Sequence, residues 1–275
     1  MKKGGFLIVF SFVVLIGNCQ SSFEITINRP LYDYSHSSIE VNNIYYTMGI
    51  LRDSNDNANG TIVKYDNESN LFIKEIIKND SSTALNFGIE KTNNNILVFG
   101  WMQDTSLLFY LYVCELTADL EIVMEKYHYI IPDDYDYIAI YDMVINEDNH
   151  VVFAGHFDDY GGSSSNCFVL VELDSEGNLI NYNYEENVFY DGEQSADLVL
   201  KNDGTGYYYF GGGSYKWVEF NNNLEYINGG FFFDPSHHIG YHISAKYLSN
   251  GNLMFAGMTS SDSSLYDLHI PIGKT

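Results

Sequence analysis

The chain has 275 residues, a length that suits one large domain, and 45% of them are hydrophobic, enough for a substantial core. Thirteen basic residues stand against 37 acidic ones, a formal charge of −24. That balance argues against nucleic acid and anionic membrane surfaces as partners, since both need Lys and Arg to displace counterions; it suits an acidic soluble surface, or one that attracts Ca²⁺.

The first element in the chain is a targeting signal. Lys2 and Lys3 precede FLIVFSFVVLI (6–16), an apolar run of eleven residues that is too short for a comfortable membrane span. LIGNCQSS (15–22) follows, with Cys19 close behind the run. The pattern resembles the lipobox of bacterial lipoproteins, although Asn18 stands where a small residue is usual. The resemblance implies removal of residues 1–18, lipidation of Cys19 as the mature N-terminus and a place in the cell envelope, in the periplasm or on the outer membrane. Plain secretion is the alternative. Residues 19–275 then read as a single domain. The other two cysteines, Cys114 and Cys167, fall in the alternating runs YLYVCEL and CFVLVEL and read as buried thiols.

The body of the chain repeats one phrase: NNIYYTMG (42–49), NNILVFG (94–100), NHVVFAG (149–155), TGYYYFG (205–211) and GNLMFAG (251–257). The closing glycines are 51, 55, 56 and 46 residues apart, a period that marks a propeller or solenoid array. Two further apolar runs follow each of the first four phrases, split by a polar turn such as DNESN, TAD, DSEGN or NNN. Another run precedes each later phrase, as in STALNFGIEKTNN (82–94) and YIAIYDMVINEDN (137–149). Each unit therefore reads as four β-strands joined by hairpins. Phrases such as ILVFG and VVFAG are apolar in both phases, as an innermost strand covered on both faces requires. The terminal glycine fits a bulge or a close backbone approach.

The expected fold is all-β: a propeller of four-stranded antiparallel blades. SIEVNN (38–43) matches a fourth strand, FEITINR (23–29) can precede it as a third, and SLYDLHIPIG (264–273) supplies the last run. Pairing the two ends in one shared blade closes a five-bladed ring and hides its edges. The alternative is part of a six- to eight-bladed ring. The phrase "apolar run, Gly, then a loop rich in Ser, Thr and Asp", as in MFAGMTSSDSS (254–264), resembles secreted bacterial β-propeller repeats of the SBBP type. That resemblance implies the fold and an envelope location. It brings no catalytic residues with it.

Successive turns of a blade alternate between the two faces of the ring. One face receives short turns. The other receives WMQDTS (101–106), IIPDDYDY (130–137), HFDDYGGSSSN (156–166), YDGEQS (190–195) and FDPSHHIGYH (233–242), and long loops on a rigid scaffold are where binding residues collect. The ligand-binding candidates are therefore Trp101, Asp133, Asp134, Asp136, His156, Asp158, Asp159, His237, His238, Tyr241 and His242. The expected ligand is a glycan, peptide or protein of the envelope, bound without catalysis. The alternative is a hydrolase acting on carbohydrate through the loop carboxylates. The cluster at 237–242 reads as polar loop rather than a metal site, since three ligands would have to converge on one point. No cofactor is expected; DSNDNANG (53–60) lacks the glycine and the terminal acid of a helix–loop–helix Ca²⁺ loop, and only a looser Ca²⁺ site fits it. A polar residue also recurs 13 or 14 positions before each closing glycine: His36, Asn86, Asp142, Asp197 and Ser244. Repetition in every unit points to a structural task, such as satisfying a buried backbone group.

Overall fold

The structure, a computed structural model, describes residues 34–52, 58–66, 71–76, 81–91, 93–133, 135–158, 167–186, 196–211, 216–231, 243–247, 253–257 and 273–274. Five antiparallel sheets follow one another along the chain. The first holds β1 (Tyr34–Val41), β2 (Ile44–Arg52), β3 (Ala58–Asp66) and β4 (Leu71–Ile76). The second holds β5 (Ser82–Glu90), β6 (Ile96–Gln103), β7 (Phe109–Leu116) and β8 (Ile122–His128). The third holds β9 (Tyr137–Ile145), β10 (Val151–Asp158), β11 (Cys167–Leu173) and β12 (Leu179–Glu186). The fourth holds β13 (Ala196–Leu200), β14 (Gly206–Gly211), β15 (Lys216–Asn221) and β16 (Tyr226–Phe231). The fifth holds β17 (Ile243–Tyr247), β18 (Leu253–Gly257) and β19 (Gly273–Lys274). In each sheet the strands lie side by side in chain order.

The first strand of each sheet meets the first strand of the next, β1 with β5, β5 with β9, β9 with β13 and β13 with β17, and the second and third strands of the first two sheets also lie against the first strand of the following one. The first strands therefore line the axis, and the fourth strands form the rim. Rim residues Phe72, Val123, Ile180 and Ile227 are exposed accordingly. This is the blade architecture of a β-propeller. It reorders one expectation. The repeated phrase is the second strand of its blade, and the run before it is the innermost one. SIEVNN lies in β1 and β1–β2, pairing with the phrase of its own blade, Val41 opposite Ile44. The physical reason is the two-residue turn Asn42–Asn43: both residues take positive φ (53° and 62°), the geometry that returns a strand directly onto its neighbour. The pairing of 23–29 with 264–273, and with it the shared blade, lies outside the described residues.

Alternation along the strands divides the core. Odd-numbered residues of the second and third blades, Leu97, Phe99, Val113, Val151, Phe153 and Val169 among them, pack against one another. The even-numbered Val98, Tyr112 and Cys114 turn to the first blade, where they meet Tyr46, Met48 and Ile62. The even-numbered Val152, Ala154, Phe168 and Leu170 turn to the fourth blade and meet Tyr209, Val218 and Phe220. β11 is buried at every position, as a strand covered on both faces must be. Cys114 and Cys167 are buried free thiols.

The short turns share a device. Asn146, Asp174 and Asn221 each accept, through the side-chain Oδ1, the N–H groups two and four residues ahead. The third strands carry a second repeated feature. Glu115, Glu172 and Glu219 take Nζ of Lys91 at 2.9 Å, Nδ1 of His150 at 2.8 Å and Nζ of Lys201 at 2.7 Å from the neighbouring turn. Burial opposes ionisation of Glu115, but hydrogen bonds from Asn95 and Lys91 win and hold it below the ordinary carboxylate range.

Gly49, Gly100 and Gly155 sit opposite bulges in the innermost strand, whereas Gly211 and Gly257 pair in unbroken register. Gly100 faces Leu85 with Asn86 as the extra residue, and Gly155 faces Ile140 with Tyr141 as the extra residue. The bulge presses the carbonyl before it onto the glycine: a Cβ on Gly100 would lie 1.8 Å from the Ala84 oxygen, and one on Gly155 would lie 2.1 Å from the Ala139 oxygen. Backbone cannot yield there as a flexible side chain would. Gly155→Ala is therefore expected to destabilise the fold by about 2–4 kcal/mol in urea unfolding, well above an ordinary surface change. A loss within the ~0.5 kcal/mol range of surface substitutions would contradict this reading.

Candidate functional site

The long-loop face carries one compact group of candidate side chains, built on β9 and β10 of the third blade. Antiparallel pairing sets Tyr137 opposite Asp158 and Ala139 opposite His156. His156 and Asp158 are even-numbered, so they share the side of β10 whose Val152 and Ala154 meet the fourth blade. The Tyr137 hydroxyl donates to Asp158 Oδ2 at 2.9 Å. The bulge then brings Tyr141, on the same innermost strand, back to His156: its ring stacks on the imidazole at 5.1 Å, and its hydroxyl hydrogen-bonds Nδ1. His156 Nε2 lies 3.8 Å from Asp158 Oδ2, an ion-pair separation rather than a hydrogen bond.

Aromatic rings continue the group toward the second blade. The Tyr137 ring meets the edge of His156 at 5.9 Å and lies 5.9 Å from Phe109, which sits 5.3 Å from Trp101. The result is a row of rings, Trp101, Phe109, Tyr137, His156 and Tyr141, with one carboxylate at its side. Trp101, Tyr137 and His156 are only partly buried, so the row is open along part of its length. The loop 129–136 braces it from above: the N–H of Asp136 donates to the Asp158 carbonyl at 2.9 Å, and Tyr135 is buried against Phe157.

Burial is the dominant influence on His156 and lowers its affinity for a proton, while the Asp158 carboxylate pulls weakly the other way. The imidazole is therefore neutral at pH 7. With one ring nitrogen bonded to a hydroxyl, such an imidazole offers a fixed acceptor or donor rather than a charge.

The sequence candidates separate accordingly. Trp101, His156 and Asp158 meet in this row, joined by Tyr137 and Tyr141, which the sequence had not singled out. Asp133 and Asp136 are exposed on the loop above. Cys19, Asp134, Asp159, His237, His238, Tyr241 and His242 lie outside the described residues. Of the Ca²⁺-like stretch 53–60, only Ala58, Asn59 and Gly60 are described, and all three are buried in β3. No group of three or more His, Cys, Asp or Glu side chains among the described residues is placed to hold a metal ion.

The recurring polar residues also find places. Asp142 Oδ2 accepts the N–H of Leu198 from the next blade at 2.6 Å, and Asp197 Oδ2 accepts that of Ala245 from the blade after. At the matching register position of the first blade, Ser37 Oγ donates to the Asn86 carbonyl at 2.7 Å. These side chains satisfy backbone groups across blade boundaries, the structural task expected of the series. His36 and Asn86 belong to a different class: they are the bulge residues, one step out of register with Asp142 and Asp197. A fixed count back from the glycine runs across a bulge in some blades and not in others.

No protein-family model matches the chain, and no curated protein matches it. Solved structures do. A GH93 α-L-arabinofuranosidase of Fusarium graminearum in complex with arabinobiose superposes with a TM-score of 0.54 at 9% identity, over 88% of this chain and 75% of that one. A thermostable family-43 glycoside hydrolase superposes with a TM-score of 0.46 at 11% identity, over 87% and 88%. The β-propeller domain of the Trilobed protease from Pyrococcus furiosus gives 0.45 at 10% identity, over 89% and 69%. At such identities the likeness is one of fold.

The site makes a titration prediction. In the unfolded chain His156 takes up a proton near the ordinary 6.5, and in the folded chain only at lower pH. Its contribution to stability is thus present above pH 6.5 and lost as pH falls through the folded value. Imidazole NMR signals of His156 should titrate below 6.5; titration at or above 6.5 would show that burial does not govern the ring.

Proposed function

We propose that the protein is a non-catalytic, carbohydrate-binding β-propeller of the cell envelope, and that the ligand lies on the long-loop face along Trp101, Tyr137, Tyr141, His156 and Asp158. One observation carries the reading: a partly open row of aromatic rings with a carboxylate and a neutral imidazole at its edge. A sugar ring has apolar C–H faces that stack on aromatics and hydroxyls that need fixed polar partners, and this row supplies both. The arabinofuranosidase that shares the fold is in complex with arabinobiose, which makes arabinose-containing oligosaccharides the first ligands to test. The finer parts of the reading rest on residue pattern: the lipid anchor on Cys19 and a place among secreted bacterial propeller repeats. A peptide or protein ligand is the alternative occupant of the same face.

Carbohydrate hydrolysis is the second reading, and the hydrolase likeness is what favours it. The Asp142–Asp197 pair does not support it. Each of these carboxyls is engaged with a backbone N–H of the following blade, Leu198 for Asp142 and Ala245 for Asp197, the structural task of a blade tie rather than that of a catalytic acid.

Calorimetric titration of the mature chain with plant and bacterial oligosaccharides tests the proposal. Binding should weaken about tenfold or more in Trp101→Ala and in Asp158→Asn, with the fold intact by circular dichroism. Unchanged affinity in both variants would place the ligand elsewhere. Release of reducing sugar that Asp158→Asn abolishes would replace binding by hydrolysis. Radiolabelled palmitate should enter the wild-type precursor in a bacterial host and not its Cys19→Ala variant; labelling of neither would remove the anchor.

A further inference from the structure

Among the described residues, the side-chain oxygen of Asn86 is the buried side-chain polar atom that no hydrogen bond satisfies. Asn86 is 3% exposed and is the bulge residue of β5. Its backbone carbonyl takes the Ser37 hydroxyl across the blade boundary, so that tie is made without the amide. A buried acceptor with no donor destabilises the fold that carries it and asks for a partner from outside the chain. Register places this amide. In the third blade His156 pairs with Ala139, Gly155 with Ile140, and the bulge residue Tyr141 reaches back to the His156 ring. In the second blade Trp101 pairs with Ala84, Gly100 with Leu85, and Asn86 is the bulge residue. Asn86 therefore stands to Trp101 as Tyr141 stands to His156. Leu85 before it packs toward the first blade, whereas Phe87 after it and Trp101 pack on the core between the second and third. The two bulges thus bring one polar group each to the aromatic row. The tyrosine hydroxyl finds Nδ1 of His156; the amide oxygen is left for a ligand.

We propose, resting on the carbohydrate reading of the row, that Asn86 determines its specificity: Oδ1 accepts a hydrogen bond from one hydroxyl of the sugar that stacks on Trp101. An amide oxygen only accepts, so the position selects a ligand group that donates. A sugar hydroxyl does; a methyl ether or a deoxy carbon at the same place does not. The oxygen is covered, so the hydroxyl meets it as a covering side chain turns aside, and the contact then formed is cut off from water. A hydrogen bond in such a place discriminates strongly, because the analogue without the hydroxyl gives up the bond and water cannot replace it. The aromatic rings supply affinity for any sugar face, and Asn86 supplies the choice among sugars.

Calorimetry of the full chain tests this with disaccharides of arabinose, xylose, galactose and glucose, and with the monodeoxy analogues of each one that binds. In the wild-type protein, removal of one particular hydroxyl should weaken binding about tenfold or more. Asn86→Leu, close in volume but apolar, should weaken the parent sugar by a similar factor and bind the parent and that deoxy analogue alike. Its melting temperature should be unchanged or raised, since the unsatisfied oxygen is gone. The deoxy series on the wild-type protein needs no variant, and indifference to every single deoxygenation would overturn the proposal. So would an Asn86→Leu protein that still tells the parent from the analogue, or that keeps wild-type affinity, the result expected if an internal water is the partner of Oδ1. Binding lost in Trp101→Ala but kept in Asn86→Leu would overturn the role of Asn86 and leave the carbohydrate reading standing. No binding of any disaccharide to the wild-type protein would overturn both.

Discussion

The constraint from which the rest follows is the inner edge of the first strands. A blade covered on both faces can satisfy its polar backbone only along its edges, and the inner edge meets the neighbouring blade along part of its length. Buried N–H groups without acceptors are costly, so an inner strand gains where a side chain of the neighbouring blade supplies a partner, as it does at three blade boundaries. Asp142 meets the N–H of Leu198, Asp197 meets that of Ala245, and Ser37 meets the Asn86 carbonyl. Sheets that share no ladder hydrogen bond are thereby joined by side chain-to-backbone bonds at a common height.

The same edge explains the bulges and the glycines. An extra residue lets the inner strand turn a side chain out of the pleat, and the carbonyl displaced by it needs a neighbour without Cβ. Gly100 and Gly155 are those neighbours. In the third blade the residue turned out is Tyr141, and its hydroxyl reaches His156. A scaffold requirement and the candidate ligand site thus meet within two residues, Tyr141 in the bulge and Asp142 bonded to the Leu198 N–H of the next blade. The Asp142 position is apolar in the second blade, where Phe87 packs into the core between the second and third blades. Blade boundaries are not equivalent, and the acidic one lies beside the aromatic row.

Much of the architecture was readable because its signals are local. The spacing of Gly49, Gly100, Gly155 and Gly211 set the period, and apolar phases set two-sided burial of β6 and β10, whereas CFVLVEL read as an alternating run although β11 is buried at every position. The order of strands within a blade was not readable, because four hairpin-linked strands can be divided into blades at more than one point. Only the long-range contacts of β5 and β9 decide that the run before the phrase is innermost. Of the site, Trp101, His156 and Asp158 were visible as chemistry interrupting a repeat. Tyr137 and Tyr141 were hidden among 24 tyrosines whose common task is sheet packing. The third-strand acids in VCEL, LVEL and WVEF did recur in sequence, and an alignment of the units on that Glu would have found their ties to Lys91, His150 and Lys201.

The claim that side chains at the axis join the blades is open to a direct measurement: hydrogen exchange of the Leu198 and Ala245 amides, followed by NMR in the intact chain. The account predicts protection comparable with ladder amides such as those of β10 and β11, and selective loss of Leu198 protection in Asp142→Ala. Exchange of both amides at the rate of an open loop in the wild-type protein would contradict it.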